Sequence, residues 1–119
     1  MSDYIHQRLE KRMQEAISTM IVTREIKHPR LSPFASVSSV TLSKDKAYAT
    51  VWVSTFEEEE LLEQSVEALQ SAAGFIQKRL GALLKTRNTP RLRFKADTSL
   101  KEAQAMHELI DSLDISDEQ

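Results

Sequence analysis

Residues 61–84 read LLEQSVEALQSAAGFIQKRLGALL. Leu62, Val66, Leu69, Ala73, Ile76, Leu80 and Leu83 recur there in alternating steps of four and three, the spacing that lays one apolar stripe along an α-helix. Gly74 stands inside that stripe. A glycine within a helix costs about 1 kcal/mol against alanine, so a helix otherwise built from good formers is expected either to kink at Gly74 or to admit another backbone at close range. Just upstream, Thr55-Phe56-Glu57-Glu58 has the spacing of a capping box, and the acids Glu57 to Glu60 suit the positive end of a helix dipole. The pattern therefore predicts one long, kinked helix starting at that box and ending near Leu84.

Strand signals flank it on both sides. Residues 35–43 and 47–54 read as two strands joined by the polar link Lys44-Asp45-Lys46, with Val40, Leu42, Ala47, Ala49, Val51 and Val53 toward one face and Tyr48 and Trp52 toward the other. After Thr89-Pro90, the residues Leu92, Phe94 and Ala96 alternate with Arg91, Arg93 and Lys95, a strand with one apolar and one uniformly cationic face. An amphipathic helix over residues 3–24 precedes the strands, its inward side formed by Ile5, Leu9, Met13, Ala16, Ile17, Met20 and Ile21, and Pro29 and Pro33 mark the loop that follows. A last helix is expected from Thr98 or Ser99, where Ser99-Leu100-Lys101-Glu102 again has capping-box spacing, with Ala103, Met106, Ile110 and Leu113 turned inward. The order implies one α+β domain, residues 1–113, with helices on one face of a three-stranded sheet, and a short acidic disordered tail at 114–119.

Composition removes much known chemistry. The chain has 119 residues, no cysteine and two glycines, so disulfide frameworks, thiolate nucleophiles, cysteine-ligated metals and Gly-rich phosphate loops are all excluded. His6, His28 and His107 are too far apart to form a local ligand pair, and no nucleophile elbow or triad spacing occurs. No apolar run approaches the roughly 20 residues that cross a bilayer, and the first residues have no signal-peptide pattern. The expectation is a cytoplasmic protein without a membrane partner and without a recognisable catalytic constellation.

The formal charge of −2 conceals strong segregation. Glu57, Glu58, Glu59, Glu60, Glu63 and Glu67 stand without a base; Lys78, Arg79, Lys85, Arg87, Arg91, Arg93, Lys95 and Lys101 stand against Asp97 alone; residues 102–119 are again acidic throughout. A concentrated basic segment is the footprint of a polyanion partner, and weighed against a merely solvated face it favours contact with RNA phosphates. Lys78, Arg79, Lys85 and Arg87 follow the kink and rank first; Arg91, Arg93 and Lys95 share a strand face and come next; the loop cations Arg24, Lys27 and Arg30 offer a third contact. Tyr48 and Trp52 could form a stacking platform for bases, although packing across the strands is the better-supported reading of two aromatic residues. The acids Glu57 to Glu60 are explained by the helix dipole without a metal.

Four strings, taken together and in order, resemble bacterial ribosome-binding factor A: Arg24-Glu25-Ile26-Lys27-His28-Pro29-Arg30-Leu31, the hairpin Val40 to Val53, Ala68 to Ile76, and Pro90-Arg91-Leu92-Arg93-Phe94 with Asp97-Thr98-Ser99-Leu100. The likeness runs collinearly from about Tyr4 to Leu113. It implies a type II KH-like fold of order αββα(kink)αβ plus a C-terminal helix, in which an interrupted helix replaces the usual GxxG loop. That element corresponds here to Ala72-Ala73-Gly74. The resemblance further implies a non-catalytic factor, without cofactor or small-molecule substrate and expected to be monomeric, that binds the free small (30S) subunit and its 16S rRNA, assists late maturation including 5′-end processing, and supports growth in the cold. His28 stands where the family more usually has Asp before Pro-Arg. The competing reading from another class is a protein–protein adaptor whose acidic helical faces dock a basic partner.

Overall fold

The computed structural model describes residues 2–85 and 88–117, and of residues 2, 3, 100, 101 and 112–117 the backbone only. The elements run α1 (Ser2–Val22), β1 (Ser36–Leu42), β2 (Tyr48–Ser54), α2 (Glu59–Ser71), α3 (Ala73–Leu84), β3 (Arg91–Ala96) and α4 (Ser99–Asp117). β2 is central, antiparallel to β1 and parallel to β3. Such a parallel pair needs a crossover, and the broken helix α2–α3 supplies it.

The inward side of the sheet consists of Val37, Val40 and Leu42 from β1, Ala49, Val51 and Val53 from β2, and Leu92 and Phe94 from β3, all buried. Val37 and Val40 are three residues apart, which strict alternation would place on opposite faces. The register slips by one residue between Val37 and Ser39, and this bulge returns both valines to the core. Met13, Ile17 and Met20 of α1, Leu62 and Leu69 of α2, and Ile76 and Leu80 of α3 close over that face. In the first turn of α1, Ile5, expected on the inward side, is exposed, as is Tyr4.

The long helix divides at Ala72, whose φ of −93° and ψ of 6° leave the helical region. The division disturbs few hydrogen bonds. Ala72 N–H is shared between the carbonyls of Ala68 (3.2 Å) and Leu69 (3.1 Å), and Ala72 O accepts Ile76 N–H at 3.0 Å to restart the ladder. Helix α2 begins at Glu59, not at the expected box. Thr55 is buried, with its hydroxyl donating to the Glu57 carboxylate (3.2 Å) and accepting Glu57 N–H (3.3 Å), and Glu57 also accepts from the Ser32 hydroxyl. That carboxylate fastens the loop before β1, and the chain turns helical only after it.

Helix side chains bond to both outer strand edges. Gln70 accepts Phe94 N–H (2.8 Å) and donates to Leu92 O (3.2 Å), reproducing the donor–acceptor pair of a further strand, while Gln77 accepts Leu92 N–H at 3.1 Å. On the other edge, Glu10 accepts Leu42 N–H (2.7 Å) and Gln14 donates to Ser38 O (3.3 Å) at the bulge. Exposed backbone edges invite strand addition, and these contacts occupy part of each edge.

The inward packing expected of α4 is not found. Every side chain from Glu102 to Asp111 is exposed, Met106 and Ile110 included; Leu113 lies outside the described side chains. Helices α1 to α3 already cover the single apolar face of the sheet, and the narrow strip of Met106, Leu109 and Ile110 among Glu102, Glu108 and Asp111 has no buried seam left to join. The residues expected as a tail at 114–117 continue the backbone of α4, and residues 118 and 119 lie outside the described ones.

Candidate nucleic-acid interface

The face of the sheet turned away from the helices carries the second halves of the alternations. Tyr48 lies beside Arg91, Thr50 beside Arg93 and Trp52 beside Lys95 in the parallel β2–β3 register. The Arg93 guanidinium sits 4.1 Å from the Tyr48 ring centroid, and the Lys95 ammonium lies 5.9 Å from that of Trp52. These are cation–π distances, each contributing about 0.5–1 kcal/mol at an exposed site. The hydroxyl residues Ser39, Thr41 and Thr50 fill the rest of this face.

Asp97, at the end of β3, is the acid of this face. It accepts the Ser38 hydroxyl at 2.6 Å and Ser99 N–H at 3.0 Å, so it joins the bulge of β1 to the first turn of α4. The Ser38 bond foremost, followed by those from Ser99, holds its carboxyl below the ordinary value of 3.8. It therefore stays ionised and hydrogen-bonded, engaged with hydroxyl and backbone donors.

The other predicted cations are on different surfaces. Lys78 projects from the exposed side of α3, one turn beyond Gly74 and next to exposed Phe75. Arg79 pairs with Glu25 at 3.0 Å, fastening α3 to the segment that follows α1. Lys85 caps α3 in the left-handed region (φ 54°), and Arg24 does the same after α1 (φ 61°). A cation at a helix C-terminus suits the dipole there. Arg24 and Lys27 line a shallow cleft with Ile21, Ile26 and Leu31. Arg30 N–H donates to His28 Nδ1 at 3.1 Å, so the histidine supplies the acceptor two residues back that an aspartate would offer in an Asx turn. Arg87 lies outside the described residues. Because the helices cover one face of the sheet, the β3 cations and those of α3 do not merge into one patch.

The break expected at Gly74 falls two residues earlier, at Ala72, and the close approach expected there as the alternative is met at Gly81 instead. A side chain at Gly74 would meet nothing within 4 Å, whereas a Cβ at Gly81 would come within 2.8 Å of Thr89 Oγ1. Gly81 thus makes room for the chain returning toward β3, and Gly74 opens outward beside the break. Sequence reasoning also missed Gln70 and Gln77; their only signal was two amides on a helix side adjoining the apolar stripe. Among the described residues no group of three or more His, Asp or Glu could hold a metal ion, and no helix is long and apolar enough to cross a membrane.

Fold and surface define a small α+β domain that displays cationic and aromatic side chains on an open sheet face and further cations around a broken helix. The family model described as Ribosome-binding factor A matches residues 5–110, and the chain belongs to that family. It is 39% identical over 113 residues to Ribosome-binding factor A of Clostridium botulinum strain Hall, covering 95% of this chain and 93% of that protein. It is 40% identical over 114 residues to the one from Treponema denticola, covering 96% and 86%. The crystal structure of the Thermus thermophilus factor superposes with a TM-score of 0.65 at 32% identity, over 76% of this chain and 94% of that one. A T. thermophilus homology model fitted into the cryo-EM map of a 30S complex gives a TM-score of 0.63 at 31% identity, over 76% and 93%.

Proposed function

We propose that the protein is a non-enzymatic assembly factor that binds the free small (30S) ribosomal subunit through its 16S rRNA and assists late maturation of that subunit, including processing of the RNA 5′ end. It acts as a cytoplasmic monomer without cofactor, through the KH-like unit of residues 1–113, and its loss is felt most in the cold. The mechanism is binding. Cations neutralise phosphates, while the broken helix and the neighbouring strand match the shape of one RNA site and hold it until maturation is complete.

The observation that carries this reading is the display of Arg91, Arg93 and Lys95 along one face of β3, with Lys78 exposed on α3 one turn beyond the outward-open Gly74 and Lys85 exposed at the C-terminal cap of that helix. Family membership and the 30S complex of the T. thermophilus relative support it. Replacing Lys78, Arg79, Lys85 and Arg87 with alanine is expected to weaken subunit binding and flatten its salt dependence, each lost phosphate contact lowering the slope by about one. Arg79 is already paired with Glu25 and is expected to contribute least. A folded variant with unchanged affinity would refute the placement.

The acidic, apolar strip of α4 favours a second role as an adaptor for a basic protein. That role requires binding to a ribosomal protein in the absence of RNA.

A further inference from the structure

The geometry points to the outer face of the sheet, centred on the Tyr48–Arg93 and Trp52–Lys95 pairs, as a platform on which unpaired RNA bases stack. This inference rests on the RNA-binding reading above and says which surface reads single strands.

Three observations converge on it. Tyr48 and Trp52 point away from the core on the same face of β2, Tyr48 36% exposed and Trp52 half-buried. Each ring carries a cation from the neighbouring strand over it, the Arg93 guanidinium at 4.1 Å on Tyr48 and the Lys95 ammonium at 5.9 Å on Trp52, so the face offers two aromatic rings and one guanidinium plane. Bases stack on both kinds of plane, and unpaired RNA is the nucleic acid that exposes bases for it. Finally, the charge is complementary to a phosphate backbone. Arg91, Arg93 and Lys95 line one strand of this face, and the acid there, Asp97, is held at the far end by Ser38 and Ser99. A basic protein partner would meet repulsion on this face. An apolar one would have to strip water from three cations.

Trp52 is the single tryptophan of the chain, so its emission reports this face alone. A 12-nucleotide oligoadenylate is titrated into the protein while Trp52 fluorescence and the anisotropy of the labelled RNA are followed, with a duplex of equal length as control. The single strand is expected to quench Trp52 as it binds, and the duplex to leave the emission unchanged. Tyr48→Leu is expected to weaken single-strand binding about tenfold without altering the salt slope, Tyr48→Phe to restore it, and Arg93→Gln to lower the slope by about 0.7. Should Tyr48→Leu fail to fold by circular dichroism, wild-type quenching decides the question. RNA binding with Trp52 emission unchanged and Tyr48→Leu at full affinity would overturn the platform while leaving the RNA-binding reading intact. Loss of small-subunit binding in Tyr48→Leu without quenching by oligoadenylate would assign the face to a ribosomal protein and also overturn it. If neither the oligonucleotide nor the small subunit bound, both readings would fall.

Discussion

Gly74→Ala is expected to make the protein more stable. The residue is exposed, its φ is not positive, and an added Cβ meets nothing within 4 Å, so alanine introduces no clash. It does restrict the unfolded chain, and at a compatible site that restriction stabilises by about 0.4–1 kcal/mol. For a chain of this length the midpoint of thermal unfolding is expected to rise by roughly 2–5 °C, read by far-ultraviolet circular dichroism. Gly81→Ala is the internal control. Its Cβ would press to 2.8 Å on Thr89 Oγ1, a contact that opposes the gain alanine brings to the helix, so the midpoint is expected to rise less than for Gly74→Ala. On the proposed function the open space beside Gly74 faces the RNA, so the larger Gly74→Leu is expected to weaken small-subunit binding while the helical signal stays intact. A lowered midpoint for Gly74→Ala would refute the structural half of this reasoning, and wild-type subunit binding by Gly74→Leu the functional half.

Gln70→Ala should leave the outer edge of β3 with an unpaired N–H and carbonyl, costing about 1–3 kcal/mol and accelerating amide exchange at Phe94; unaltered exchange there would mean the edge bonds are not made in solution. Leu80→Ala, at a fully buried site, is expected to cost about 2–5 kcal/mol, and a urea midpoint equal to that of wild type would place the residue outside the core. Asp97 has a folded carboxyl below 3.8, so it binds protons less readily folded than unfolded; its contribution is full above that ordinary value and is lost as pH falls through the folded one. Ser38→Ala raises Asp97 back toward 3.8, and the stability gap between variant and wild type should accordingly be wide at pH 6 and narrower at pH 3. An identical gap at both pH values would show that the Ser38 bond does not act through Asp97.

Local pattern carried much of this architecture. Alternation along β2 and β3 told the core side from the polar side, and the four–three spacing from Leu62 to Leu83 marked a helix whose stripe is packed on the core as far as Leu80, Leu83 being 45% exposed, with Gly74 as a weak point two residues from the actual break at Ala72. What pattern could not convey depends on partners distant in sequence. Gln70 and Gln77 are ordinary helix-surface amides until β3 arrives beside them, and Thr55 and Glu57 form a capping pattern until Ser32 takes the carboxylate. The same limit governs the glycines, because the contact that matters at Gly81 comes from Thr89 across a loop. For α4, apolar spacing suggested burial, but whether a stripe is buried depends on whether any core surface remains uncovered. On the site, the sequence grouped eight cations by adjacency, whereas the strands and helices distribute the described ones over opposite sides of the sheet.

The central claim is that this chain recognises the free small subunit, and the most direct measurement is sedimentation of the purified protein with free small subunits, free large subunits and assembled ribosomes, each across a salt series. The protein is expected to pellet with free small subunits alone, with affinity falling as salt rises. Equal partition among the three particles, or no association with small subunits at low salt, would contradict it.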